Sequence, residues 1–378
     1  MRARSSERGD VILYGYYGCG NLGDDLLMLI ALDALRLLFP GQRILVCDHG
    51  DRRGFERIGA DVVFTGVQSI PADQTRGKAK RTFAYLAAWA RLLGESRWLV
   101  FGGGTVFHPG VRPLLLQTAI CALARLRRAR IAALGVGVAD IDSAISRWLL
   151  RRIVAMSSVF LVRDAAALRQ CRGTHARMTG DLVFSWRPLR DARVPRRDDT
   201  APATIALTLS PEAFDAPALE RSMVALADWV RLCRAAGHRV IFLELLRAGV
   251  TPGDEALFSR IAAHLRDVPP VELRQLTADP AAIAAAFRDI DLVCGTRYHA
   301  LVLAAMLDRP FVGLTHENKI ASICQSLGMP CLDARAVDAG ALATVVTETL
   351  AKRPDAATVA ALAADARRNF DALAAAIG

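Results

Sequence analysis

GYYGCGNLGDD, residues 15–25, stands between the apolar run that ends at Tyr14 and a second one that begins at Leu26, the layout of a strand, a glycine turn and a helix start. Gly18, Gly20 and Gly23 match the G-x-G-x-x-G spacing of a dinucleotide-binding turn, and Asp48 closes the next strand-like run, RILVCD, where an acid gripping a ribose would stand. The carboxylates behind the turn argue the other way. In a dinucleotide site the helix N-terminus faces a pyrophosphate, and its amides and partial positive charge hold that anion. Asp24 and Asp25 at that start would take up the amides themselves. They would also repel a pyrophosphate by at least about 1 kcal/mol per charge pair at contact distance, even in water. The turn is therefore expected to offer Asn21 and Asp24 to a neutral, hydroxyl-rich ligand such as a sugar; the alternative is that Asp24 only caps its helix.

Outward from that turn, short apolar strands alternate with longer helical patterns. Strands are expected at 10–16, 43–48, 61–64, 97–101, 130–136 and 158–162, with helices at 24–38, 78–93, 112–128 and 143–155 between them. Such a rhythm implies parallel sheets with crossover helices. It breaks at 185–203, SWRPLRDARVPRRDDTAPA, a charged, proline-bearing stretch without periodicity that reads as a linker or a long exposed loop. Beyond it the rhythm resumes through ATIALTL, HRVIFLEL, VELRQL, DLVCGT and PFVGLT, with a helix opened by Asp279-Pro280 and another at 318–327. The expected architecture is α/β, two doubly wound Rossmann-like domains facing each other. Their bounds are 1–190 and 200–352, and a C-terminal helix, 353–378, packs back on the first domain.

The chain has 378 residues, of which 53% are hydrophobic, enough for more than one core. No apolar stretch reaches the length of a membrane span; the longest candidate, from Pro113, runs into Arg127 and Arg128. MRARSSERGD has a basic start without an apolar segment behind it, so no secretory signal is expected and the cytoplasm is the expected location. The eight cysteines form no C-x-x-C pair, which speaks against a disulfide framework and a zinc ribbon. A net charge of +10 arises largely from arginine, as in RLRRAR (125–130) and SRWLLRR (146–152). It suits a phosphorylated substrate or an anionic lipid, or it is a solvated helix surface. No aromatic-basic alternation accompanies the charge, so nucleic acid is not an expected partner. No paired histidines and no D-x-D cluster call for a metal: His49, His175, His238, His264 and His316 lie apart.

GYYGCGNLGDD, FGGGTVFHPG (101–110), LGVGV (134–138), FLVRD (160–164), TGD (179–181) and above all CGTRYHALVLAAMLDRPFVGLTHENKIASICQSLG (294–328) resemble the polysaccharide pyruvyltransferase family, with the motifs in the same order. The resemblance spans about residues 10 to 330 and implies a GT-B-like fold with the active site in the cleft between two domains. It also implies transfer of a pyruvyl group from phosphoenolpyruvate to a saccharide of a cell-surface polymer, often a lipid-linked precursor, as a ketal. Phosphoenolpyruvate is then a co-substrate and no cofactor is needed.

That chemistry needs cations for a phosphate and a carboxylate, and one acid to protonate the methylene carbon. Arg297 and His299 of TRYH follow a strand and open a helix, where open α/β sheets bind ligands; the helix start around Tyr298 and His299 adds amides for phosphate. A histidine titrates near neutral pH and is a fitting general acid. The resemblance gives the same roles, with Arg297 and His299 on the donor and His299 as the acid. It adds Arg163 as partner of the donor carboxylate, although Leu161 stands where the family often has serine. A salt bridge of Arg163 with Asp164 is the structural alternative. Lys319 is expected either near the phosphate or as a solvated lysine. Gly103 and Gly104, with Asn21 and Asp24, are implied on the acceptor side, and His108 is either a base there or a loop histidine. Two other readings stay open: a GT-B glycosyltransferase using a nucleotide sugar, and an inactive envelope-assembly homologue. A lipid-linked acceptor would also bring the arginine-rich helices at 76–97 or 143–152 to the cytosolic face of the inner membrane. The acceptor sugar and the oligomeric state are not legible.

Overall fold

A computed structural model describes residues 9–49, 58–68, 78–192, 194–195, 201–247, 253–315 and 318–378. The N-terminal residues 1–8, part of the 185–203 stretch and His316 lie outside them. The chain divides into two units: the first comprises Met1–Cys19, Asp24–Ser185 and Ala364–Gly378, the second Gly20–Gly23 and Trp186–Ala363.

The first unit carries β1 (Asp10–Tyr17), α1 (Leu22–Leu38, whose first two residues group with the second unit), β2 (Ile44–Asp48), β3 (Val62–Phe64), α2 (Lys78–Glu95), β4 (Ser96–Phe107) and α3 (Val111–Leu126). It continues through β5 (Arg130–Val138), α4 (Ala144–Met156), β6 (Val159–Val162), α5 (Ala165–Gln170) and β7 (Arg177–Met178). Its seven strands, all parallel, run in the order β3-β2-β1-β4-β5-β6-β7. Apolar residues throughout the central strands are buried, as a parallel sheet covered on both faces requires: Val11, Ile12, Leu13, Leu99 and Val100 have no exposed surface.

The second unit begins its main span with α6 (Arg187–Arg190), β8 (Thr204–Thr208), α7 (Ala216–Ala235), β9 (Arg239–Glu244), α8 (Glu255–His264), β10 (Glu272–Gln275) and α9 (Pro280–Ala286). There follow β11 (Leu292–Gly295), α10 (Tyr298–Met306), β12 (Phe311–Thr315), α11 (Asn318–Ser326), β13 (Cys331–Asp333), α12 (Ala339–Leu350) and α13 (Ala356–Ile377), the last of which ends in the first unit. The six parallel strands are ordered β10-β9-β8-β11-β12-β13. In each sheet the winding direction reverses once, between β1 and β4 and between β8 and β11. Ligands of open parallel sheets bind outside the carboxyl ends of the strands at such a reversal.

Two expectations are corrected. FGGGTVFHPG is not a loop after a five-residue strand: β4 continues through the glycines to Phe107, paired with β5 as far as Val138. Gly103 and Gly104 take φ of +78° and +74°, which only glycine adopts without strain, yet the pairing with β5 keeps its register through them and shifts only between Thr105 and Phe107. The 185–203 stretch is not all exposed linker, since Trp186 and Leu189 are buried and α6 packs on α9. Three apolar side chains in a charged segment are too few for a periodic signal. Asp279 caps α9 as expected, accepting from the amides of Ala281 and Ala282 at 3.4 and 3.0 Å.

The end of α13 belongs to the first unit through Asn369, which is wholly buried. Its Oδ1 accepts from the Thr179 hydroxyl at 2.9 Å and its Nδ2 donates to the Gly180 carbonyl at 3.2 Å. Asn369→Ala leaves both groups buried without that partner. It is expected to lower the unfolding free energy by about 1–3 kcal/mol, read from the urea midpoint.

Candidate active site

In the second unit β11 ends at the winding reversal, and the chain turns through Thr296 and Arg297 into α10. That helix is uniformly apolar and buried from Ala300 to Met306, so only its first turn reaches the edge of the core. Arg297 stands before that turn with its side chain 11% exposed, against a wholly buried Asp254. Its Nε donates to both carboxylate oxygens at 3.1 and 3.3 Å and to the Leu209 carbonyl at 3.3 Å, while Nη2 bonds to Asp254 Oδ1. Among the described residues Nη1 makes no hydrogen bond.

Asp254 does a second task. It sits at the N-terminal end of α8 but does not cap it; its Oδ2 accepts from the amides of Leu245 and Leu246, both at 3.0 Å. Burial pushes its carboxyl up from the usual range, and Arg297 and the two amides oppose that push. Glu244, two per cent exposed at the end of β9, is raised by burial as well.

The segment anchored by Asp254 receives the turn with which the sequence opened. Leu22 donates its amide to the Leu245 carbonyl at 2.8 Å, Arg247 to the Gly20 carbonyl at 3.1 Å, and Asn21 bridges to Leu246 as an antiparallel pair. Asn21 Oδ1 accepts from the Gly23 amide at 3.1 Å, so Asn21 itself caps α1. Gly23 lies against His299: a Cβ there would come within 1.9 Å of the imidazole Nδ1. The ring of Tyr298 meets that of His299 edge-on at 5.3 Å. Arg297, Tyr298, His299, Asn21 and Gly23 are thus brought together in one unit. Lys319 lies half-buried in the first turn of α11 in the same unit.

Asp24, Gly103, Gly104 and Arg163 belong to the first unit. A Cβ on Gly104 would stand 2.8 Å from Asp24 Oδ1, so the lack of a side chain there lets this carboxylate lie directly on the strand backbone. Asp25 Oδ1 accepts from the Gly18 amide at 3.3 Å, and Asp48 Oδ1, wholly buried, from the Gly66 amide at 2.8 Å. Thus the acids of the dinucleotide-like pattern hold their own backbone. Arg163 has a side chain only 5% exposed and takes the salt-bridge alternative: Nε bonds Asp164 Oδ2 at 3.1 Å, Nη2 the Thr105 hydroxyl at 3.0 Å, and Nη1 faces Asp181 at 3.6 Å. The VRD and TGD motifs are the two sides of this network.

Sequence reasoning missed Asp254 and Tyr16. An acid at a helix start reads as a cap, and nothing in the spacing signals a partner 43 residues away. Tyr16 stacks on His49, with 5.7 Å between centroids, and takes the edge of His108 at 5.2 Å; His108 lies half-buried in the loop between β4 and α3. Burial raises the Tyr16 phenol, helped by Cys19 and Asp24, and lowers the His49 imidazole. Among the described residues no group of three or more His, Cys, Asp or Glu could hold a metal, and no helix is long and apolar enough to cross a membrane.

A family model described as "Polysaccharide pyruvyl transferase" matches residues 21–318. No curated protein matches the sequence. Among solved structures, the UDP-GlcNAc 2-epimerase from Methanocaldococcus jannaschii is similar at a TM-score of 0.60 and 13% identity, covering 92% of this chain and 93% of that one. The UDP-GlcNAc 2-epimerase from Neisseria meningitidis bound to UDP-GlcNAc gives 0.56 and 10%, covering 96% and 99%. The glycotransferase of kitacinnamycin gives 0.55 and 12%, covering 98% of each. At these identities the likeness is one of fold, the GT-B type shared by glycosyltransferases and epimerases.

Asp254→Ala strands the Arg297 guanidinium in a nearly dry setting and is expected to destabilise the protein by about 3–5 kcal/mol. Combining it with Arg297→Met is expected to cost clearly less than the sum of the two single changes, since no lone charge remains. Denaturant unfolding of the two single variants and the double variant measures this coupling.

Proposed function

The chain belongs to the polysaccharide pyruvyl transferase family, and from that we propose that it transfers a pyruvyl group from phosphoenolpyruvate to a saccharide, closing a ketal on two hydroxyls. The observation that carries the reading is the apposition of Gly23 and His299. The two sequence blocks most characteristic of the family meet there, at the first turn of a buried helix beside Arg297.

In the proposed reaction His299 gives a proton to the methylene carbon of the donor while an acceptor hydroxyl adds to the neighbouring carbon. Phosphate leaves, a second hydroxyl of the same sugar attacks in its place, and of the two hydroxyl protons one restores His299 and the other leaves with the phosphate. Arg297 and the positive end of α10 offset the charge of the phosphate. Asp254 offsets the charge that Arg297 presents to the anion, but it fixes the guanidinium in one orientation, and orientation is what the reaction requires. The family-derived contact of Arg163 with the donor carboxylate would take the place of one of its present partners. Asn21 reaches an acceptor only with the part of its amide that does not cap α1. By the family resemblance, Tyr298 and Lys319 are proposed on the donor's phosphate, and Asp24, Gly103 and Gly104 on the acceptor. The acceptor is proposed to be a saccharide of a cell-surface polymer, carried on a lipid and modified in the cytoplasm.

A nucleotide-sugar glycosyltransferase shares the fold, and one neighbour was solved with UDP-GlcNAc. Direct binding separates the two readings: phosphoenolpyruvate is expected to bind and a nucleoside diphosphate is not. Phosphate release from phosphoenolpyruvate should depend on a lipid-linked or nucleotide-linked saccharide. His299→Ala is expected to lower turnover by about 10²- to 10⁴-fold with donor affinity largely kept. Gly23→Ala, which drives a methyl into the imidazole, is expected to lower turnover as well. Near-normal rates in His299→Ala would overturn the assignment of the acid.

A further inference from the structure

The outer surface of the first unit carries a feature that the proposed reaction does not use. α3 and α4 pack side by side, and the Ser146 hydroxyl donates to the Pro109 carbonyl at 2.8 Å, which ties the start of α4 to the residue before the turn into α3. Leu149, Leu150 and Ile153 of α4 face the core, as do Leu114 and Ile120 of α3. The opposite face is not polar. Ile145 and Trp148 are 60% and 58% exposed, and Leu115 and Val111 are 55% and 40% exposed. On α4 the spacing Ile145, Trp148, Arg152 follows one side of the helix, and on α3 the pair Val111, Leu115 does the same.

Trp148 stands out from the other tryptophans. Trp89, Trp98, Trp186 and Trp229 are all buried, and it alone of the five lies in solvent. The Arg152 guanidinium lies over its ring at 5.9 Å, which favours an outward indole with a cation at its side.

Charge decides what such a surface fits. α3 and α4 contain no aspartate or glutamate, while Arg112, Arg147, Arg151 and Arg152 are exposed beside the apolar residues. Along the chain, the acids that precede α4 are Asp140 and Asp142. A second copy laid symmetrically on this face would set arginine against arginine with no carboxylate from either helix between them. A surface of phosphate headgroups over acyl chains answers both features at once. It takes the arginines at its charged layer and the indole and aliphatic side chains just beneath.

We propose that the first unit docks on an anionic lipid bilayer through the outer face of α3 and α4, with Trp148, Ile145 and Leu115 entering the headgroup boundary. The docking stands on these side chains alone and does not depend on the pyruvyl-transfer reading, so either can fail without the other.

The test uses the full chain with vesicles of phosphatidylcholine alone and of phosphatidylcholine mixed with phosphatidylglycerol, at low and high salt. Co-sedimentation is expected with the mixed vesicles at low salt and is expected to fall away with neutral vesicles or at high salt. The tryptophan emission should shift to the blue on binding, and the shift should vanish in Trp148→Phe. Ile145→Ser with Trp148→Ser, and separately Arg151→Gln with Arg152→Gln, are each expected to weaken binding by roughly tenfold or more. All four residues are exposed, so the melting temperature should stay near that of the parent. No sedimentation with the mixed vesicles at low salt, binding undiminished by high salt, or parental binding by either double variant would overturn the proposal. So would a dimer in light scattering that the Trp148→Ser change dissociates, because the face would then belong to a second copy.

Discussion

The contact between Arg297 and Asp254 fixes the geometry of the second unit at its winding reversal. A carboxylate with no exposed surface must have its oxygens satisfied, and here one guanidinium and two backbone amides do so. The arrangement ties the turn after β11 to the loop between β9 and α8, 43 residues away, and closes that loop on itself. The strap at Gly20–Gly23 is hydrogen-bonded to the segment after β9, and the Gly23 side of that strap meets His299. A buried pair of this kind is a poor source of net stability, since desolvation offsets much of the attraction. Its value is geometric, in that removing either partner leaves a charge the interior cannot tolerate.

The first unit uses the same device with opposite balance. Arg163 faces two carboxylates, Asp164 and Asp181, and a hydroxyl, Thr105, from three different parts of the sheet edge. Asp164 also caps α5 through the Ala167 amide at 2.8 Å, and Asp181 holds the Val183 amide at 3.0 Å. The neighbouring Thr179 and Gly180 reach Asn369 of the C-terminal helix. A guanidinium with so many partners is a rigid part of the sheet edge. Its positive charge is largely answered within the protein, whereas Arg297 meets a single carboxylate and keeps one nitrogen, Nη1, outside that pair.

The same fold serves epimerases and glycosyltransferases, so fold and function rest on different facts. Two parallel sheets with one reversal each explain where a ligand can sit, and they say nothing of which ligand. What distinguishes this chain is local: an imidazole seated on a glycine, a guanidinium held by a buried acid, and a strand glycine, Gly104, against which Asp24 lies. Two amides of the glycine turn are already occupied by its own side chains, Gly18 by Asp25 and Gly23 by Asn21.

The sequence by itself determined the alternation of strands and helices. Periodicity and the turn residues are local properties of the chain, and ten of the expected elements in the first half need only adjusted ends. It also singled out Arg297 and His299 by their residue types after a strand, Arg163 through the family resemblance, and Gly23 as part of the glycine spacing. The short strands β7 and β13 were too brief to carry a pattern, and β4 was cut short because three glycines in a row resemble a loop until a neighbouring strand is seen to pair with them. The partners were decided by the tertiary structure alone. That Asp254 turns from its own helix to Arg297, that Arg163 spends its charge on Asp164 and Asp181, and that Trp148 lies in solvent while four other tryptophans are buried depend on which segments the sheets bring side by side. Pairings over tens of residues are set by packing, and no local sequence pattern encodes them.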